Sequence, residues 1–393
     1  MSQHYDNPAT DVTPVVAARI RVDAIERIGS QERLFDLYMN DTIRARGEIL
    51  GPEVQGIRLK EASALVFVDE SPSANFGHAC QYLLYVPESG QFREAVPARF
   101  PPYAQDIPRD FELFYHRGGR QDEPRRGHGA MRVESLNIAP DAGYANRYAI
   151  LFSGLPYLRH VNELELCYRA LTQAYQFDPA NIFVLLFDGT LRTVRGAVPP
   201  LWPGTAGGSP YQIKNHIHDS GSLQALANLF GTLPLKSNDL LFIHMTGDGD
   251  SDSNGAFINA YDGVYRASQM VRDLQGLPAH RALLVLMEQC SAGGFANAVV
   301  GTTRPAPMSS IAAAAADGLE SHFSPTVPHW NYFAAEWLSA LTGQDVISGA
   351  PVNLVAPPAL VDADAAYAYA VATDPEDTPA RASAGGGGTI TLG

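Results

Sequence analysis

The run Arg281–Gly294, RALLVLMEQCSAGG, limits what this chain can fold into more than any other stretch. Leu283 to Met287 is unbroken apolar sequence, too short for a typical helix and bounded by turn residues. Such a run reads as a strand buried on both faces, as parallel sheets require. The chain then turns polar at Glu288 and Gln289, presents Cys290, and enters Ser291, Ala292, Gly293 and Gly294. A cysteine at the carboxyl end of a buried parallel strand stands where open α/β sheets place ligands. Small residues after it let a substrate backbone approach and let amide groups face an oxyanion. A buried structural cysteine is the commoner fate of a lone Cys. The Glu-Gln pair and the paired glycines favour a site.

Composition narrows the function classes. A net charge of −14 argues against nucleic acid and against an anionic membrane surface as partners. The three cysteines, Cys80, Cys167 and Cys290, lie far apart, which gives neither a disulfide framework nor a metal cluster. Their sparse use suits a reducing compartment, so a cytoplasmic protein is expected. The polar, acidic start MSQHYDNPATD does not read as a signal peptide, and no apolar run is long enough for a membrane span. Oligomeric state is not readable.

Along the chain, residues 1–16 are polar and read as disordered. Residues 17–100 read as a β-rich, sandwich-like domain, with strands at Arg19–Val22, Ala64–Val68 and Tyr82–Val86. Residues 101–147 are a loop-rich connector containing the candidate strand Phe111–Tyr115. From 148 to 365 strand and helix alternate. Apolar runs at Tyr148–Phe152, Asn181–Phe187, Asp239–Met245, the Cys290 strand and Ile311–Ala316 are separated by helical stripes at Val161–Tyr175, Ser222–Leu229, Ser268–Leu274 and Asn331–Leu341. That alternation predicts an α/β fold with a doubly wound, mostly parallel sheet flanked by helices. Residues 366–393 end in a Gly-rich stretch that reads as a flexible tail.

A thiol needs a base to act as a nucleophile at neutral pH. The place to seek it is the end of the preceding strand, His244-Met245-Thr246-Gly247-Asp248-Gly249-Asp250. A strand ending in small-Gly-His-Gly, followed some way on by a strand ending in Glu-x-Cys, resembles the caspase-fold cysteine peptidases. The chain is most similar to the legumain family, which includes the catalytic subunit of GPI transamidase. Glu288-Gln289-Cys290 carries the nucleophile motif, and Tyr157-Leu158-Arg159-His160 with Cys167-Tyr168-Arg169 resembles that branch's first helix. The resemblance implies a cysteine endopeptidase domain in which Cys290 attacks a peptide carbonyl. It implies Gly249 and the run after Cys290 as oxyanion donors, and Arg159, His160 and Glu288 as lining of the substrate pocket. No organic cofactor is implied. The partner is a peptide or a protein.

One departure outweighs the matches. The family's catalytic histidine falls on Asp248, and the small residue before its Arg-His pair falls on Tyr157 or Leu158. A carboxylate lacks the imidazole's basicity, and beside Cys290 it raises the thiol's pKa by like-charge repulsion. Little or no hydrolysis is expected, and a pseudopeptidase that binds peptides or proteins is the alternative function. Other histidines are available. His244 reads as a core residue, about 13 Å of strand away from position 248. His216, His218 and His329 have no support beyond being present. Arg159 at a helix start opposes the helix dipole unless it has a partner. Asp250, Asp252 and Asn254, with Gly255, follow the opening of a calcium loop but lack its closing glutamate. A polar hairpin tip is the plainer reading.

Overall fold

A computed structural model of the chain describes residues 11–28, 35–40, 42–51, 56–72, 74, 78–102, 111–117, 143–193, 196–204, 208–301, 306–323, 330–345, 350–352, 361–374 and 376–393. Residues 1–10, most of the 101–147 connector and His329 lie outside them. The chain divides into two compact units, Met1–Glu123 and Pro124–Gly393.

The first unit holds helix α1 (Pro14–Ile28) and strands β1 (Phe35–Asn40), β2 (Ile49–Leu50), β3 (Ile57–Arg58), β4 (Ala64–Asp69), β5 (Cys80–Tyr85), β6 (Phe92–Ala98) and β7 (Phe111–Arg117). Five of them form an antiparallel sheet in the order β6-β5-β4-β1-β7. Leu37, Val66, Val68 and Leu83 on one face pack against Ile20 and Ala24 of α1. Phe67, Tyr82 and Leu84 on the other face meet Leu50 and Leu59. The expected sandwich is therefore corrected to a sheet layered with a helix. The expected strand Arg19–Val22 lies inside α1. Four alternating residues fit either period. Val16, Ile20, Ala24 and Ile28, four apart and all buried, select the helix.

The second unit is built on a seven-stranded sheet. Its members are β8 (Arg147–Ser153), β9 (Ile182–Leu186), β12 (Ile217–Asp219), β13 (Leu240–Thr246), β17 (Ala282–Glu288), β18 (Met308–Ala313) and β19 (Ala380–Ala384). Between them run the short hairpin β10 (Arg192–Thr193) and β11 (Gly196–Ala197), and the small sheet β14 (Gly249–Asp252), β15 (Gly255–Ala260) and β16 (Gly263–Arg266). The large sheet has the order β12-β9-β8-β13-β17-β18-β19, parallel except for β19. Helices α2 (Leu158–Arg169), α6 (Tyr332–Thr342) and α7 (Ala363–Thr373) cover one face, sharing a core with Leu151, Phe242 and Leu284. Helices α3 (Leu223–Thr232), α4 (Ala267–Gln275) and α5 (Ala296–Val300) cover the other, sharing a core with Phe152, Ile243 and Val285. Both faces are covered, so β13 and β17 are buried along their whole lengths. The α/β, mostly parallel sheet flanked by helices is as the periodicity predicts. Strand order reverses between β8 and β13, which is where such sheets open a crevice at their carboxyl edge.

The flexible tail is a correction. β19 pairs with β18, and Ile390 and Leu392 are each 1% exposed. The glycines are there for close approach: a Cβ on Gly385 would clash with the Pro307 carbonyl, and one on Gly387 with that of Ser309. Arg147 Nη1 donates to the Leu392 carbonyl at 2.8 Å, tying the last residues to the first strand of the sheet. Truncating a buried aliphatic side chain costs about 2–5 kcal/mol, so Ile390→Ala and Leu392→Ala should each lose that much in urea unfolding. Losses below about 0.5 kcal/mol, the scale of surface substitutions, would mean that the tail is not part of the core.

Candidate active site at the carboxyl edge of the large sheet

The register of β13 on β17 brings the two key positions together. Leu240 pairs with Ala282, and the ladder runs to Thr246 opposite Glu288. Gly247 extends it by donating to the Glu288 carbonyl at 3.4 Å. Asp248 and Cys290 therefore each stand two residues past the last pair, just beyond the ends of neighbouring strands. β14 begins at once after Asp248, and the Asn259 amide holds the Asp248 carbonyl at 2.8 Å. Gly249 packs on Gln289, leaving no space for a side chain.

Arg159 arrives from the far side of the switch point. β8 ends at Ser153 and α2 starts at Leu158, with Tyr157 at its cap position offering no side-chain cap. Arg159 Nη2 lies 2.8 Å from Asp248 Oδ1, with side-chain exposures of 11% and 1%. Its guanidinium is sandwiched between the rings of Tyr157 and Phe323, at 4.5 and 4.6 Å. The partner that the dipole argument requires of this helix-start cation is thus Asp248.

Cys290 is 1% exposed. Residues 316–323, after β18, fold over it. The Ser321 amide points at Sγ from 3.5 Å, and Gly318 donates to Ser291 Oγ at 3.2 Å. Ser291 sits at φ +58°, an uncommon conformation for a residue with a side chain. Its amide donates to the Leu319 carbonyl at 2.8 Å, and the amides of Ala292, Gly293 and Gly294 go to Gln289, Ala315 and Ser291. The run after Cys290, read as a source of oxyanion donors, has these four amides committed within the chain.

The other expected pocket residues lie deeper. His160 is fully buried against the Tyr157 ring. Burial first, and then the Arg159 charge, push its pKa well below the usual histidine range. Glu288 is also fully buried and accepts the Ala334 amide at 2.7 Å, at the start of α6. Burial raises its pKa well above the usual range, and the charges of Glu163 and Asp374 add to this. His244 is a core residue, its Nε2 2.8 Å from Glu163 Oε1 and its Nδ1 3.2 Å from the Leu286 carbonyl. His216 lies tilted against the Tyr168 ring and His218 edge-to-face with Phe183, and His218 lies on β12, four strands from β17.

The Asp250, Asp252, Asn254 run forms the β14–β15 hairpin, as the plainer reading has it. Both Asp252 oxygens bond Arg266 at 2.9 Å. That donor set, already neutralised by a guanidinium, does not fit a calcium ion. Among the described residues no group of three or more His, Cys, Asp or Glu is placed to hold a metal, and no helix is long and apolar enough to cross a membrane.

Sequence reasoning passed over a buried polar network beneath this edge. Asn331 Nδ2 bonds Glu163 Oε2 and, at 3.0 Å, Thr246 Oγ1. Its signal was present in α2, where Asn162, Glu163, Glu165 and Arg169 are all buried within a helix that also carries the apolar stripe.

No protein-family model matches the chain, and no curated protein matches it. Among solved structures, protein GSU0716 from Geobacter sulfurreducens is similar at 12% identity, covering 63% of this chain and 97% of that one, with a TM-score of 0.40. Caspase-1 from Spodoptera frugiperda is similar at 12% identity, covering 52% and 72%, with a TM-score of 0.31. Likenesses of this size assign no family.

Two outcomes check the geometry. Gly249→Ala places a Cβ 2.5 Å from Gln289 Cγ and from the Phe257 carbonyl, so overpacking should cost about 1–3 kcal/mol in urea unfolding. Iodoacetamide should alkylate Cys290 about 100-fold more slowly in the native protein than in urea, the protection given by a local opening of a few kcal/mol. Labelling at the unfolded rate would mean that the thiol is open to solvent.

Proposed function

We propose that the larger unit is a cysteine-peptidase-type α/β domain, resembling the caspase and legumain families, that does not turn over peptides and instead engages a peptide or protein partner at its carboxyl edge. The observation that carries this reading is the buried Arg159–Asp248 pair at the place where the resemblance puts the catalytic base.

Acyl transfer by a thiol needs a group that takes its proton and later returns it to the leaving amine. Asp248 is committed to the Arg159 guanidinium at 2.8 Å, and a carboxylate lacks the imidazole that general-base catalysis at neutral pH uses. Arg159 is likewise committed to Asp248 and two rings, so it is not free to greet a substrate. The Ser291 amide is taken by the Leu319 carbonyl, a ready-made donor–acceptor contact where a tetrahedral intermediate would need the donor. A partner gains these groups only by displacing residues 316–323. Leu319, 43% exposed on that segment, is an apolar handle for such a partner. The net charge of −14 favours a peptide or protein over nucleic acid or an anionic membrane.

The test is turnover of a fluorogenic peptide library by the full chain, with Cys290→Ala as the blank. Wild type should match the blank. Cleavage that disappears in Cys290→Ala would overturn the proposal in favour of an active endopeptidase with another base. Asp248→His, supplied together with Arg159→Met so that no guanidinium is stranded, should raise turnover above the blank if only the base is wanting.

A further inference from the structure

We propose that a cluster of buried carboxyl groups, Glu288, Asp374 and Asp377, is a pH-operated latch on the segment that covers Cys290, holding it shut at acidic pH and releasing it as pH rises. This regulation concerns the site described above and rests on reading residues 316–323 as its cover.

The geometry starts at His322, the residue after Ser321 on the cover. Its amide donates to Asp377 Oδ1 at 2.7 Å, and its Nδ1 lies 2.8 Å from the same oxygen. The Asp377 side chain is 0% exposed. It belongs to the connection between α7 and β19, where Asp374 Oδ1 accepts the amides of Glu376 and Asp377 at 3.0 and 3.2 Å. The same connection holds the cover a second time, because Ala316 donates to the Thr378 carbonyl at 2.8 Å. Glu288, at the end of β17, completes the cluster two residues before Cys290. One oxygen of each carboxyl, Glu288 Oε1, Asp374 Oδ2 and Asp377 Oδ2, is buried without a hydrogen-bond partner.

Among the described residues, three elements bring groups against the cluster. From α2 comes Glu163, itself beside His244 of β13. From the cover comes His322. From α6 come the amide of Ala334 and no charge that bears on Glu288 or Asp377. Several carboxyl groups thus share one desolvated space, with the His322 imidazole against Asp377. They cannot all ionise there without mutual repulsion. Burial, followed by neighbouring carboxylates, raises both Glu288 and Asp377 well above the ordinary range. Those two groups therefore bind protons more readily with the cover closed than when solvated. The closed state is fully favoured at acidic pH, and that advantage is lost as pH rises from the ordinary carboxylate range through the raised values.

Hydrogen exchange of the Ser291 and Ser321 amides in the full chain tests this directly, with the intrinsic pH dependence divided out. As pH rises above the ordinary carboxylate range their protection should fall, by about tenfold per pH unit where one net proton is released. Core amides of β13 and β17, such as Leu241 and Leu283, should keep theirs, which separates release of the cover from general unfolding. Asp377→Asn keeps the acceptor for His322 but cannot ionise, so it should make the profile shallower than that of wild type. Asp374→Asn is the second variant should the first fold poorly. A pH-independent protection in wild type, or a profile unchanged in both variants, overturns the latch. Neither result depends on turnover. If wild type cleaves peptides the proposed function fails while the exchange profile still decides the latch, and a flat profile sinks the latch while leaving the silent-site reading intact.

Discussion

The ion pair between Arg159 and Asp248 is the interaction on which the arrangement of this edge depends. It joins the first turn of α2, which follows β8, to the end of β13, and so bridges the two strands between which the sheet reverses its order. Asp248 has left water and Arg159 keeps only 11% of its side-chain exposure, and desolvation of this kind costs several kcal/mol for a fully buried ion unless geometry restores it. The restoration is visible in the 2.8 Å contact and in the two aromatic faces that enclose the guanidinium. A lone survivor of the pair would be an uncompensated buried charge. The carboxylate at 248 is therefore part of the architecture of this edge.

Around that pair, the donors and acceptors near Cys290 are turned inward. The sheet register carries Asp248 and Cys290 to the same edge, each two residues past the last paired position of its strand. Yet the thiol meets the Ser321 amide, and the Ser291 amide meets the Leu319 carbonyl. Phe323 ties the cover to the ion pair through its ring, and His322 ties it to the carboxyl groups behind. Closure of the thiol, pairing of the arginine and burial of the acid cluster are thus one connected structure.

Much of this was legible in the residues. Unbroken apolar runs at Leu240–Met245 and Leu283–Met287 gave strands buried on both faces, because only covered parallel strands can be apolar at every position. The same runs placed positions 248 and 290 at one edge. The helix dipole argument required a partner for Arg159, though it could not say which. What escaped had physical reasons. Arg19–Val22 alternates over too few residues to separate a strand from a helix. Gly385–Gly388 has the composition of a linker, yet each of those four residues but Gly386 is glycine because backbone or a side chain leaves no room for a Cβ. Residues 316–323 carry no periodicity, so nothing local announced that they cover the thiol. Glu163 and Asp377 act through partners more than 50 positions away, which no window along the chain can capture.

A double-mutant cycle on Arg159→Met and Asp248→Leu, read by urea unfolding, tests the central claim most directly. Each single substitution strands a buried charge and the double one does not, so the account predicts a coupling energy of about 1–3 kcal/mol, with the double variant more stable than the sum of the singles requires. Effects that simply add, within about 0.5 kcal/mol, would contradict it, for then the two side chains would not be joined where the base is expected.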